Sequence, residues 1–298
     1  MIKKTLTVAK KFHSYQRERF PIIVLALSLV PAVLSSGIIV STNPTLLQGV
    51  YALIASLAYL LHIRVIDEHR DFGHDNVHHT TRPVQSGMIS KQELQYVDIT
   101  AVLILVGIAA AAGRWALIMI AVMLAYSYLA SKEFFIGEKI RHYFFTYNGI
   151  NLVQMLLMQV FVYTLFADPF PFTTLVCIHF LFTSIGTLVF EFVRKLKRPG
   201  DDGTGKDTYT WYLGFGNSLL IYSFLLSLNA LLFFWIATLL TSHTIYALIS
   251  TVGLTLIVYL TAALHWKKRS QETDQLMQLS FLLLYGIFNI AIYFLIIN

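Results

Sequence analysis

Asp67, Asp71 and Asp75 recur at a strict four-residue interval, with Glu68 beside the first, in the stretch RVIDEHRDFGHDNVHHTTRPVQSGMIS from Arg64 to Ser90. If the apolar segment before them continues as a helix, each step of four rises about 6 Å and turns about 40° out of register, so the three aspartates share one face. Like charges at that spacing cost roughly 0.2–0.5 kcal/mol per pair. The C-terminal end of a helix is also its negative end, which disfavours carboxylates further. A chain that accepts both penalties calls for a cation on that face. The same residues allow internal neutralisation as well: Arg64 precedes Glu68 by four and Asp67 precedes Arg70 by three, the pattern of an ordinary solvated turn at a membrane edge.

The elements that must position these residues are apolar. Of the 298 residues, 56% are hydrophobic and 13% charged, and the mean hydropathy is +0.66. That excludes a soluble domain of this size and indicates an all-α polytopic membrane protein. The formal charge of +6 does not point to nucleic acid, because the basic residues flank apolar segments. The lone cysteine, Cys177, lies in an apolar run, which excludes disulfides and a cysteine-based metal site. Nine apolar segments are read, at roughly 21–40, 46–63, 96–112, 115–131, 143–166, 172–190, 214–240, 244–264 and 277–297. The first follows a lysine-rich segment, like a signal peptide, but is long enough to span and reads as a retained helix. Residues 1–20 carry Lys3, Lys4, Lys10, Lys11, Arg17 and Arg19 and read as a basic amphipathic helix on an anionic membrane surface.

Lysine and arginine set the orientation. Of 22 such residues, 21 lie in the N-terminal segment or in the loops 64–95, 132–142, 191–213 and 265–276; only Arg114 falls on the other side. The positive-inside rule then makes the N-terminus and the four long loops cytoplasmic and the C-terminus external. All residues able to do chemistry collect on one membrane face, expected to be that of the plasma (inner) membrane. The two richest loops stand four helices apart, which hints at an internal duplication.

The acidic stretch ends in Arg82-Pro83-Val84-Gln85-Ser86-Gly87-Met88-Ile89-Ser90. With this tail the segment resembles the first motif of the UbiA superfamily of intramembrane prenyltransferases. There an acidic or amide residue with an acid next to it is followed by aspartates four and eight positions on, then Arg-Pro, a glycine and the Ile-Ser start of a helix. Asp67, Glu68, Asp71, Asp75, Arg82, Pro83, Gly87 and Ile89 fall at those places, Asp67 standing where an asparagine is usual. The resemblance implies one domain over 1–298, with nine helices around a central cavity open to the cytoplasmic side. It further implies Mg2+ held by aspartates of the loops after helices two and six, a prenyl diphosphate ionised at its C–O bond, and a lipophilic, often aromatic, acceptor that captures the allylic cation. Mg2+ suits such donors because it binds one or two carboxylates together with phosphate oxygens. It would stabilise the departing diphosphate.

The second loop departs from the superfamily pattern. It reads Phe190-Glu191-Phe192-Val193-Arg194-Lys195-Leu196-Lys197-Arg198-Pro199-Gly200-Asp201-Asp202, then Lys206-Asp207. Where the second aspartate pair is expected, Arg194 and Arg198 stand. Either Glu191 and a loop aspartate hold a second metal, or Arg194, Lys195 and Arg198, with Lys206, take the diphosphate directly, as guanidinium forks do well. The resemblance implies that Lys132, in the third loop, faces the phosphates; a membrane-edge anchor is the plain alternative. Asn148, Asn151 and Gln154 recur every three residues on one helix face, where intramembrane amides bridge helices or line an acceptor pocket.

Two patterns mislead. Gly200 to Lys206 has the spacing of a phosphate-binding loop, but Asp207 replaces the hydroxyl residue that would hold Mg2+. His69, His74, His78 and His79 resemble part of a membrane di-iron site, yet His13, His62, His142, His179, His243 and His265 are scattered without paired boxes. The expected function is a Mg2+-dependent prenyltransferase with a prenyl diphosphate and a lipophilic acceptor as partners. Its alternatives are a non-catalytic isoprenoid-lipid binder or transporter on the same scaffold and a membrane di-iron oxygenase.

Overall fold

The computed structural model describes residues 2–19, 21–137, 143–201 and 206–297, with side chains at the N-terminal end described from Lys10 onward. Lys139, Arg141, His142 and Asp202 lie outside the described residues. Every regular element among the described residues is helical. Among the described residues, nine helices are long and apolar enough to cross a membrane, matching the nine apolar segments in number and order. They are α2 (Ile22–Val40), α3 (Leu46–Arg70), α5 (Lys91–Ala112), α6 (Arg114–Ser131), α7 (Phe144–Phe166), α8 (Thr174–Arg194), α10 (Phe215–Leu240), α11 (Thr244–Lys268) and α12 (Gln271–Ile297). The others are α1 (Ile2–Arg19), α4 (Phe72–His78) and α9 (Tyr209–Leu213).

Several helices run past their oily stretch. α3 extends to Arg70, α8 to Arg194, and α5 begins at Lys91. The backbone ladder does not stop where the lipid does, so the charged flanks that carry the motifs are held in helical geometry. Their starts are written in the sequence: Thr45 with Gln48 and Ser90 with Glu93 form reciprocal capping boxes. The outward faces keep large apolar side chains such as Leu103, Ile249 and Leu260 exposed. That pattern belongs to helices solvated by lipid, since helices satisfy their own backbone groups there. The chain is an integral membrane protein.

The helices fall into two compact groups: Met1–Leu29 with Thr45–Pro169, and Val30–Pro44 with Phe170–Asn298. In the first, α3 packs on α5 and α7, and α6 on α5 and α7. In the second, α10 packs on α8, α11 and α12, and α12 closes on both α8 and α11. Several buried polar groups pair inside each group. In the second, Ser35 Oγ donates to Asn289 Oδ1 at 2.6 Å and meets His179 Nε2 at 3.0 Å, while Asn229 Nδ2 donates to the Phe182 carbonyl at 2.8 Å. Such bonds tie helices where lipid supplies no partner.

α1 does more than lie on a surface. Its Tyr15 is fully buried with Val65, Val84, Ile89 and Leu94, and Phe12 packs at the edge of that cluster. Lys10, His13 and Arg17 face outward, which leaves one basic side for a membrane surface. The other side is docked on the protein.

A close approach fixes α8 against α12. A Cβ placed on Gly186 would stand 2.3 Å from Tyr285 Cε2, far inside van der Waals contact. Gly186→Val is therefore expected to destabilise the protein by about 1–3 kcal/mol through overpacking, read as a lowered melting temperature in detergent. Gly107→Val is the comparison, because a Cβ at Gly107 meets nothing within 4 Å.

Candidate functional site

The acidic stretch is built from two helices and a turn. α3 ends at Arg70, and Asp71 (φ −90°, ψ 4°) both caps it and opens α4. The helix expected to run straight through is thus interrupted at Asp71. The i to i−4 bonds nevertheless continue across the break: Asp71 N donates to Asp67 O, Asp75 N to Asp71 O, and His79 N to Asp75 O. Beyond α4, Pro83 O accepts from Ile89 N, Val84 and Ile89 are buried, and Gly87 takes φ +76°. Only glycine enters that region without strain. The Arg-Pro-x-x-x-Gly tail is therefore a folded turn that delivers Ser90 to its capping box.

The carboxylates do not form a single row. Asp67 and Asp71 converge on Arg70, whose Nη2 lies 2.6 Å from Asp67 Oδ1 and whose Nε lies 3.1 Å from Asp71 Oδ1. Arg70 is almost wholly buried, also donates to Asn151 Oδ1 at 3.3 Å, and stacks over the Tyr147 ring. Tyr147 donates its hydroxyl to Asp71 Oδ1 at 2.6 Å. The side chains of Asp67 and Asp71 remain 20% and 34% exposed, enough to meet a ligand. Asp75 is buried and paired with Arg82, with His74 Nδ1 at 3.6 Å from its other oxygen. The reading of Asp67 with Arg70 as an internal pair is realised.

Glu68 points elsewhere. Fully buried, it accepts on Oε1 from Arg19 at 2.7 Å and from Arg64 at 2.8 Å, the second being the i, i+4 pair read from the sequence. Its Oε2 has no hydrogen-bond partner among the described residues. Burial pushes the Tyr15 phenol far above its ordinary range, with the Glu68 charge adding to the shift, so Tyr15 stays a neutral donor beside it. Lys11 Nζ reaches Glu93 Oε1 at 2.8 Å, a second clamp between α1 and the turn. Arg19, Arg64, Arg70 and Arg82 thus stand against Asp67, Glu68, Asp71 and Asp75, cation for anion.

In the second group of helices, Glu191 is engaged on both oxygens: Arg194 Nη2 is 2.7 Å from Oε2 and Lys195 Nζ is 2.8 Å from Oε1. Arg198 Nε pairs with Asp201 Oδ2 at 2.6 Å, and Lys197 Nζ with Asp274 Oδ2 at 3.0 Å. Lys206 Nζ stands 5.9 Å from the Trp211 ring centre. Tyr209, stacked on Phe192, has its phenol pushed up to about 12 by burial and then by the Glu191 charge. Lys132 caps the C-terminal end of α6 and makes no side-chain ion pair among the described residues.

Of the three amides on α7, Asn148 bonds its own helix at Phe144 O, Asn151 reaches Arg70, and Gln154 donates to Ser127 Oγ at 3.3 Å. The scattered histidines stay scattered: His62 pairs with Asp98, His179 with Ser35 and His265 with Thr273. Among the described residues, one trio of His, Asp or Glu side chains lies close enough to share a metal, His74, Asp75 and His79. The sequence points to Arg70 only as the partner of Asp67, and it does not point to Tyr147. Arg70 sits in the motif and its spacing to Asp67 was visible, but nothing local ties Tyr147 of α7 to the end of α3.

These features define a polytopic all-helical membrane protein with a neutralised acid cluster at the end of its second long helix. By sequence, the chain matches no protein-family model and none of the curated proteins. Its fold is that of the UbiA homologues. A UbiA homologue from Aeropyrum pernix K1 matches with a TM-score of 0.63 at 16% identity, covering 92% of this chain and 98% of that one. A UbiA homologue from Archaeoglobus fulgidus bound to DMAPP and Mg2+ matches at 0.60 and 16%, over 95% and 98%. The structure of a digeranylgeranylglyceryl phosphate synthase matches at 0.58 and 17%, over 97% and 99%.

Removing Glu68 would leave Arg19 and Arg64 without their shared buried partner. Breaking a buried pair from one side costs about 3–5 kcal/mol. Glu68→Ala is expected to lower thermal stability on that scale and to release α1, seen as faster proteolysis within residues 10–19. Unchanged cleavage and melting would show that the clamp contributes nothing to holding α1.

Proposed function

We propose that the protein is a prenyltransferase that moves an isoprenoid group from a prenyl diphosphate to a lipophilic acceptor within the membrane. The observation that carries this is the convergence of Asp67 and Asp71 on Arg70 at the end of α3, in a chain with the UbiA fold. Two partly exposed carboxylates offer hard oxygen donors, a set that fits Mg2+ better than softer metals. When bound, Mg2+ would neutralise the charge that builds on the departing diphosphate.

The chain's own residues do the rest. Tyr147 holds the Asp71 carboxylate in place, and Arg70 keeps Asp67 and Asp71 close despite their repulsion. Arg82, fixed by Asp75, and Lys132 supply donors to phosphate oxygens. On the second loop both Glu191 oxygens face cations, Arg194 and Lys195, which favours cations over a second metal as the diphosphate's partners there. Arg194, Lys195, Arg198 and Lys206 are assigned to the diphosphate as cations, consistent with the fork geometry of guanidinium. The apolar helices exclude water from the allylic cation, which the acceptor captures with loss of a proton. Glu68 positions α1. The basic loops face the cytoplasm, by the charge bias of the flanks, and the plasma (inner) membrane is the proposed location.

A binding role without turnover is the second reading, favoured by the full engagement of Glu191. The two separate cleanly in assay. Purified protein in lipid, given radiolabelled prenyl diphosphates, Mg2+ and a panel of phenolic and alcoholic acceptors, is expected to release diphosphate. Chelation or Asp71→Asn should reduce release to background, whereas Tyr147→Phe should lower it by roughly 10–100-fold, as loss of an outer-shell partner does. Release that persists unchanged in both Asp67→Asn and Asp71→Asn would falsify the enzymatic assignment. Saturable binding without release across the panel would favour the binder.

A further inference from the structure

The short helix α4 gathers a second donor set of different chemistry. His74, Asp75 and His79 each offer one atom, and these atoms lie within 4.8 Å of one another. The two histidines stand five positions apart, which on a regular helix would leave them on different sides. α4 stops at His78, however, and His79 takes φ −138° and ψ 48°. Leaving helical geometry there swings its ring back until its centre is 5.9 Å from that of His74. Asp75 completes the group from within: Arg82 Nη1 donates to its Oδ2, leaving Oδ1 on the side of His74. A carboxylate held by an outer-shell donor is a common arrangement around a bound metal.

We propose that His74, Asp75 and His79 form a binding site for Zn2+ or a similar borderline divalent cation, distinct in chemistry from the all-oxygen pair at Asp67 and Asp71. Two imidazoles and one carboxylate are donors that Zn2+ takes readily, whereas Mg2+ prefers oxygen and keeps its waters. Ligands around tetrahedral Zn2+ at about 2.0–2.2 Å stand roughly 3.3 Å apart, so the widest pair must close by at most about 1.5 Å, while His74 Nδ1 and Asp75 Oδ1 already stand 3.6 Å apart. The His74 side chain is 44% exposed, so that movement takes place against solvent. Three protein ligands leave a fourth position for water. His78 stacks on His74 with ring centres 4.6 Å apart and is a neighbour outside the trio. A cation here would cross-link the end of α4 to the carboxylate that fixes Arg82, tying down the turn that leads into α5.

The test needs no turnover. Full-length protein in detergent, stripped with chelator, is titrated with Zn2+ in competition with a chromophoric zinc chelator in the presence of millimolar Mg2+. One Zn2+ per chain is expected, undisplaced by Mg2+, with nitrogen donors in the zinc X-ray absorption spectrum. The double variant His74→Ala/His79→Ala should weaken binding by more than the roughly 10–100-fold that loss of an outer-shell partner causes, and His78→Ala should leave it intact. Asp71→Asn should bind Zn2+ like the unaltered chain, which separates this site from the proposed reaction: either can fail while the other stands. Equal zinc affinity in the chain and the double variant, dependence on His78 in place of His79, or no saturable binding would each overturn the proposal.

Discussion

Four carboxylates at the end of an apolar helix are tolerable only because four guanidinium groups meet them. Taking an isolated carboxylate out of water costs several kcal/mol even after relaxation, and Glu68 and Asp75 are both almost wholly buried. The chain meets this with local and distant arginines. Arg64 and Arg70 come from the same helix as their partners, Arg82 from the following turn, and Arg19 from the N-terminal helix. The architecture around the motif follows from that matching. α1 docks where it does because Glu68 requires Arg19, and Tyr15 then fills the apolar gap beneath it.

The pairing also divides labour among the acids. Glu68, locked between two arginines, serves as an anchor. Asp67 and Asp71 share Arg70 and retain exposure, so they can meet a ligand. Asp75 sits between Arg82 and a histidine pair, where both a diphosphate donor and a borderline cation have reason to engage it. Four acids in one short stretch thus acquire three environments, set by which neighbour reaches each.

A different economy governs the helices within lipid. Their outer faces need no polar partner, and their inner faces set several buried amides, hydroxyls and imidazoles against one another. Ser35, Asn289 and His179 form one such knot in the second group, and Tyr59, Ser127 and Gln154 another in the first. Because a lipid-facing alternative supplies no hydrogen bond, these contacts fix which helices are neighbours more firmly than apolar packing alone could.

The sequence by itself determined the number, order and approximate span of the membrane helices, because twenty apolar residues in a row have few other fates. It also determined the pairs Arg64–Glu68 and Asp67–Arg70, which are local. Tertiary structure alone decided that Asp71 breaks the helix and that Tyr147 and Asn151 of α7 close over Arg70. It alone decided too that Arg19 reaches Glu68 and that His79 folds back to His74. Those contacts join residues up to 81 positions apart or depend on one backbone angle at a helix end. No period or spacing along the chain encodes either, since what selects them is the need of a buried charge for a partner once the helices have packed.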